Sequence, residues 1–438
     1  MLFRIASAVE NACGRVRTRG GRKGKLHGAY PSFNLTFKIE DWRVRASFRI
    51  LIIEVYMLTL IENGDIYTPE PQGRRDVLLV GGRIARVGEI DRRAIEATGL
   101  ELAVIDATGC LVTPGFIDPH EHLIGGSGEQ GFSTQTPEIF LSELVSAGIT
   151  TVVGCLGVDT TTKTMSGLLS RAKALHEEGL TAYIYTGGYS VPPATLTESV
   201  RQDILFIEEV IGAGEVAISD LRATEPDVHE LARLVTDAYV GGMLSKKAGI
   251  THFHVGDGKR RLEPLRRLLD EYEVEPAWLY PTHVERSSAL MEEAIELTKR
   301  GVTIDIDTVE EDLAKWLAFY LDRGGDAARL TASSDASISS PQTLYEQIRD
   351  CIINHGFAIE SVLRLVTSNT ARVLRLAGKG SLLAGKDADV LVLRQGSLEL
   401  REVIACGRRL MVDGEPVVSE RCMEESNRSI SLGRSTAI

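Results

Sequence analysis

Short β-branched runs alternate with amphipathic stretches through the middle of the chain. Eight such runs can be counted: GFIDPHEH, TTVVGCLG, TAYIYTGGY, EVAISD, ITHFHVG, LYPTHV, VTIDID and LTASSDA. The segments between them, among them TMSGLLSRAKALHEEG, SVRQDILFIEEVIGAG and ALMEEAIELTKRG, carry apolar residues at helical spacing. Eight strand–helix units predict an α/β fold, a TIM-like (β/α)8 barrel over residues 113–378. The flanks have another texture. LTLIENGDIY, DVLLVGGRIARVG and LAVIDATGCLVTPG precede the barrel, and KGSLLAGKDADVLVLR and VIACGRRLMVDGEPV follow it, all short β-like runs broken by turn residues. They predict a small β-sandwich domain assembled from both ends of the chain, residues 57–112 and 379–418.

Two segments stand outside this pattern. Residues 1–56 hold eleven Lys and Arg against four Asp and Glu, a charge of +7, which leaves −19 on the remainder of a chain whose total is −12. That asymmetry marks a separate basic extension, and we read Met57, which opens the regular pattern, as the natural start. The stretch from residue 419 to 438, SERCMEESNRSISLGRSTAI, is polar and aperiodic and is read as a tail without structure.

With 438 residues, 43% of them hydrophobic, the chain can bury more than one domain core. Its acidic balance argues against nucleic acid and anionic membrane as partners, since phosphate surfaces demand an excess of Lys and Arg. A small-molecule substrate fits better. No apolar run reaches the roughly 18 to 20 residues of a membrane span. The six cysteines lie far apart with no C-x-x-C pair, so neither a disulfide framework nor a thiolate zinc site is signalled. A reducing, cytoplasmic setting is expected, with Cys155 and Cys351 as core filling.

In a βα barrel the chemistry sits at the carboxyl ends of the strands. Here the first run ends with His120 and His122, the fourth carries Glu215, the fifth ends at His254, the sixth at His283 and the eighth at Asp335. Residues i and i+2 of a strand share a face, so His120 and His122 can reach one cation. Four imidazoles and two carboxylates suffice for two divalent ions, and neutral imidazole suits Zn²⁺. His252 shares a face with His254; His254 is favoured because it directly precedes the glycine-rich VGDGK loop. His176, His229 and His355 fall on helical stretches and His27 in the extension, and these are read as surface or hydrogen-bonded residues.

The segment PGFIDPHEH, Pro114 through His122, resembles the hallmark of the amidohydrolase superfamily. HLIGGSGEQG, TGGYSVP, AISDLR, FHVGDGK, PTHVER and SSDAS are similar to motifs of its isoaspartyl dipeptidase members, over about Met57 to Val418. The resemblance implies that His120 and His122 hold one metal with Asp335, and that His254 and His283 hold the second. It also implies that Tyr189, Glu129, Arg222, Arg286 and Ser339 contact the substrate, and that the protein is a homo-oligomer. The family usually bridges its metals with a carbamylated lysine, where this chain has Glu215. It usually has a threonine in L-G-T-D, where this chain has Val158.

Charge describes the same substrate. A β-aspartyl dipeptide carries an ammonium and a carboxylate side by side and a second carboxylate at its far end; Glu129, Arg222 and Arg286 offer the matching charges. The expected reaction is amide hydrolysis by water activated on divalent metal, with Asp335 shuttling the proton and Tyr189 donating to the developing oxyanion. The alternatives are a D-aminoacylase, a dihydroorotase-like cyclic amidase, or a non-catalytic relative that keeps the barrel as an assembly module.

Overall fold

The computed structural model describes residues 58–427 apart from 311, 419 and 425. The basic extension, with His27, and residues 428–438 of the tail lie outside the described residues.

Strands β1 (Leu58–Tyr67), β2 (Pro71–Val80), β3 (Arg83–Gly88), β4 (Leu102–Asp106) and β5 (Cys110–Pro114) build the amino-terminal part of a mixed sheet. The barrel strands follow: β6 (Phe116–Glu121), β7 (Ile149–Gly154), β8 (Thr181–Thr186), β9 (Val210–Ile218), β10 (Ile250–Val255), β11 (Leu279–Thr282), β12 (Ile304–Asp307) and β13 (Leu330–Ser333). β14 (Val390–Arg394), β15 (Leu400–Ala405), β16 (Arg408–Val412) and β17 (Glu415–Pro416) complete the mixed sheet.

Each barrel strand corresponds to one of the eight runs predicted from the sequence, and each is followed by a helix. These are α1 (Leu141–Ser146), α2 (Met165–Glu178), α3 (Val200–Phe206), α4 (Val228–Ser245), α5 (Glu263–Glu271), α6 (Ser288–Arg300), α7 (Leu313–Asp322) and α8 (Gln342–Ile353). Hydrogen bonding runs parallel through β6 to β11 in chain order and again between β12 and β13. A bridge from Glu121 to Ala336 joins the first strand to the segment after the last. One predicted helical segment is shorter than expected. Helix α3 stops at Phe206, and Val210 to Gly214 already belong to β9. The run is buried on both faces, and Gly212 lies so close to β10 that a Cβ there would sit 2.6 Å from the Ile250 carbonyl oxygen.

The small domain is one nine-stranded sheet, ordered β17-β16-β15-β14-β5-β1-β2-β3 with β4 also on β1. β5 is its seam, parallel to β1 and antiparallel to β14, and so joins the two ends of the chain. Val77, Leu79 and Ile84 from one arm and Val390, Val392 and Ile404 from the other share a single buried cluster. Two layers thus come from one continuous sheet that closes over its own core. Between β5 and β6 the chain crosses into the barrel at Gly115, where a Cβ would lie 2.1 Å from the Thr150 hydroxyl. Only glycine fits that crossing.

The tail differs from expectation at its start: residues 421–424 form a helical turn, and Glu420 accepts a hydrogen bond from the Ser142 backbone N–H at 2.8 Å. Among the described residues no helix is long and apolar enough to cross a membrane.

Candidate metal centre

The carboxyl ends of β6, β9, β10, β11 and β13 bring the six predicted ligands together. Alternation along β6 directs His120 into the barrel mouth, and His122 follows one step beyond the strand's end. Glu215, fully buried on β9, is the hub. Its Oε2 lies 3.1 Å from His254 Nδ1, 3.3 Å from His120 Nε2 and 3.6 Å from His283 Nε2, while Oε1 lies 3.4 Å from His122 Nε2. Asp335 Oδ1 faces the same pair from the other side, 3.2 Å from His122 Nε2 and 3.5 Å from His120 Nε2. His283 and Asp335 both hold left-handed backbone, with φ of 61° and 47°, a conformation that costs energy in a non-glycine residue and recurs at functional sites. Gly157, after β7, leaves the space His122 and Glu215 need, for a Cβ there would sit 2.9 Å from His122 Cε1 and 3.5 Å from Glu215 Oε1.

This donor set fits divalent cations. Both His120 nitrogens, Glu215 Oε1 and Asp335 Oδ1 are buried without a hydrogen-bond partner, a costly state unless another group satisfies them. Burial pulls the His120 imidazole down, but Cys155, Glu215 and Asp335 draw it well above its ordinary value. Burial likewise pushes Glu215 up, and His120 and His254 hold it well below. The carboxylates thus demand positive charge, which cations between neutral imidazoles would supply. Among the described residues three groups have ligand geometry: His120–His122–Cys155–Glu215 and Glu215–His254–His283, which share Glu215, and His283–Glu285–Asp307 behind the second.

An outer layer of acids fixes the imidazoles. His254 Nε2 lies 3.1 Å from Asp220 Oδ2, and His283 Nδ1 lies 2.6 Å from Asp307 Oδ2. Such carboxylate–histidine pairs set the tautomer and orientation of a ligand ring. Sequence reasoning gave neither acid this role, although Asp220 ends the EVAISD run and Asp307 the VTIDID run, so both positions carried a strand-end signal. His252 is fully buried. Its Nδ1 lies 2.9 Å from the Tyr280 carbonyl oxygen, it stacks on Tyr185, and burial and His120 keep it well below its ordinary pKa. Cys155 is buried in a hydrophobic cluster, as core filling requires, and its Sγ also lies 3.9 Å from His122 Nδ1. Burial pushes this thiol up, and His122 and His120 outweigh it.

The predicted substrate residues are placed unequally. Tyr189 is buried, with its hydroxyl 2.9 Å from His254 Nδ1. Arg222 and Arg286 line one cleft of about 650 Å³ together with Asp220, Leu221 and Asp257. Arg222 is gripped at Nε and Nη2 by Asp220, at 2.9 and 2.8 Å, and its Nη1 reaches Glu129 Oε1 at 2.6 Å. Arg286 lies 3.6 Å from the exposed Asp257. Its chain neighbour Glu285 is buried instead, where burial and Asp307 push its carboxyl well above the ordinary range. Ser339 follows β13 with its hydroxyl buried and unpartnered among the described residues.

Comparison with known proteins gives the chain a family context. Two models described as "Amidohydrolase family" match residues 103–267 and 217–417. A β-aspartyl dipeptidase from Fervidobacterium islandicum AW-1, solved in complex with β-Asp-Leu, is 38% identical, covers 83% of this chain and 98% of its own, and superposes with a TM-score of 0.79. D-hydantoinase from Geobacillus stearothermophilus is 32% identical over 36% of this chain. Adenine deaminase from Mesorhizobium japonicum is 24% identical over 81% of it. The matches span 31% and 57% of those two curated relatives' lengths.

Proposed function

The chain belongs to the amidohydrolase family, and on that premise we propose that it hydrolyses β-aspartyl (isoaspartyl) dipeptides at a centre of two divalent ions, with zinc favoured by four imidazoles. The observation that carries this reading is the charge arrangement beside the centre. Glu129 and Arg222, 2.6 Å apart, present one negative and one positive group side by side, and Arg286 adds a second guanidinium to the same cleft. A β-aspartyl dipeptide presents the complement: Glu129 takes the ammonium and the two arginines take the carboxylates. The likeness to the Fervidobacterium enzyme supports the same substrate class.

In this reading His120, His122 and Asp335 would hold one ion and His254 and His283 the other, with Glu215 available to both groups. When bound, the ions supply Lewis acidity, polarising the scissile carbonyl and lowering the pKa of water towards about 7. Asp335 is kept ionised: burial pushes it up, but His120 and His122 bring it below its ordinary value. It therefore accepts the proton of the attacking water and delivers it to the leaving amine. Tyr189 is raised well above its ordinary value, by burial first and Glu215 second, so its phenol stays protonated and donates to the carbonyl oxygen as negative charge develops there. Asp220 and Asp307 keep His254 and His283 oriented throughout.

Zinc-loaded protein assayed against β-Asp-Leu, N-acyl-D-amino acids, dihydroorotate and a D-hydantoin tests the proposal. Turnover of β-Asp-Leu with kcat/KM at least roughly a hundredfold above the others is expected. Preference for a cyclic amide or an N-acyl amino acid would replace the substrate, and less than about one metal per chain would favour a non-catalytic barrel.

A further inference from the structure

The metal centre occupies the carboxyl ends of the strands. A second charged cavity, of about 410 Å³, lies near their amino ends. It is lined by Ser368 and Arg372 of helix α9 (Ser368–Val373), by Arg375 just after it, and by Lys379, Ser381 and Lys386 of the return to the small domain. Its place is fixed by two anchors. Lys379 Nζ donates to the hydroxyl of Thr181, the first residue of β8, and Asn369 Nδ2 donates to the carbonyl of Leu330, the first residue of β13.

The charge of this lining is unusual for so acidic a chain, because no carboxylate is among the lining residues. Lys379 is neutralised behind the wall by Asp389 at 2.6 Å and Asp387 at 3.1 Å. The other three cations are not. Arg372 Nη2 donates to Asn369 Oδ1 at 3.1 Å, and Lys386 Nζ donates to the Ala377 carbonyl. Arg375 makes no side-chain hydrogen bond or ion pair among the described residues, and no described carboxylate pairs with any of the three. Arg372 is pushed below its ordinary value by burial first and then by the neighbouring Arg329, with Asp326 opposing and Arg364 adding to the effect. Those neighbours already have acids of their own, Asp326 at 3.6 Å and Glu70 at 3.3 Å.

Three cations lining one open pocket, with two serine hydroxyls beside them, make a receptor for a compact multivalent anion. Guanidinium forks match tetrahedral oxyanions in geometry as well as charge. We propose that this cavity binds a phosphate group, at a site separate from the metal centre. The arginines contact its oxygens, Lys386 adds charge, and Ser368 and Ser381 donate hydroxyl hydrogens.

Equilibrium dialysis of metal-loaded, full-length protein with labelled inorganic phosphate, at ionic strength held constant with chloride, tests this. Saturable binding at the cavity is expected to weaken at least roughly tenfold in Arg375→Gln and in Arg372→Gln. Metal content should stay unchanged in both, and Arg286→Gln, at the other end of the barrel, should bind as the wild type does. Glycerol phosphate that binds at least tenfold tighter than inorganic phosphate would identify a phosphorylated metabolite as the occupant; equal or weaker binding would identify inorganic phosphate. The proposal is overturned if the wild type shows no saturable binding, if Arg375→Gln and Arg372→Gln both bind normally, or if only Arg286→Gln loses binding.

Discussion

Oε2 of Glu215 lies 3.1 Å from Nδ1 of His254, so the carboxylate of β9 reaches across to the imidazole of β10 while its other oxygen faces His122. This is the geometry of a residue shared between two ligand groups. A glutamate is ionised at neutral pH and bridges without modification, whereas a carbamylated lysine needs carbon dioxide to form. Apo protein reconstituted with Zn²⁺ in degassed buffer should therefore recover the activity obtained with added bicarbonate. Glu215→Ala should lose at least one ion and most turnover. A bicarbonate requirement, or an alanine variant with full metal content and normal rate, would remove Glu215 from the centre.

Asp307 accepts at 2.6 Å from His283 Nδ1 and should act through that ring. Outer-layer partners of this kind are worth roughly 10- to 100-fold in metal affinity or activity. Asp307→Asn is expected to weaken metal binding by that factor in chelator competition, with the melting curve little changed at saturating metal. Unaltered affinity would limit Asp307 to packing.

Among the described residues Arg286 has a single distant acid, Asp257 at 3.6 Å, whereas Arg222 is held by Asp220 and Glu129. Arg286 is thus the freer guanidinium. A charge-assisted hydrogen bond to a carboxylate is worth about 1.5 to 3 kcal/mol, so Arg286→Ala should lower kcat/KM for β-aspartyl dipeptides at least roughly tenfold with metal content unchanged. Unchanged kinetics would take Arg286 out of the site.

Much of the centre was legible because the barrel makes strand ends informative: His120, His122, His254, His283 and Asp335 end or follow predicted strands, and Glu215 opens the EVAISD run. The pairings were not. Which nitrogen of His254 or His283 faces an acid depends on side-chain rotation, and the grip of Asp220 on Arg222 depends on a turn. The position of Cys155 beside His122 was hidden for another reason, since a buried thiol at a strand end reads equally as packing. β9 begins early because Val210 to Gly214 have apolar spacing compatible with either helix or strand, and only burial on both faces decides. The small domain's continuity as one sheet rests on the β5–β14 pairing between segments far apart in sequence.

Lys379 is buried between Asp389 and Asp387. Burial alone would lower its pKa, but the two acids raise it above the ordinary lysine value. A raised folded pKa means that its stabilisation is fully present below the unfolded value of about 10.4 and fades only as pH climbs through the higher folded one. Lys379→Met leaves buried acid uncompensated and should cost about 3 to 5 kcal/mol, by a margin constant from about pH 7 to 10 and shrinking in stronger alkali. Denaturant unfolding across that range checks both; a loss under about 1 kcal/mol would contradict the buried ion pair.

The central claim is that a zwitterionic head group is read by Glu129 and the two arginines beside a two-metal centre. It is tested most directly by measuring kcat/KM of one zinc-loaded preparation, with two ions per chain, on β-Asp-Leu and on the same dipeptide N-acetylated. Acetylation removes the ammonium without touching the scissile amide, so kcat/KM should fall at least roughly tenfold, and Glu129→Gln should narrow the gap. Equal rates on the two substrates, or hydrolysis of the acetylated one alone, would contradict the account.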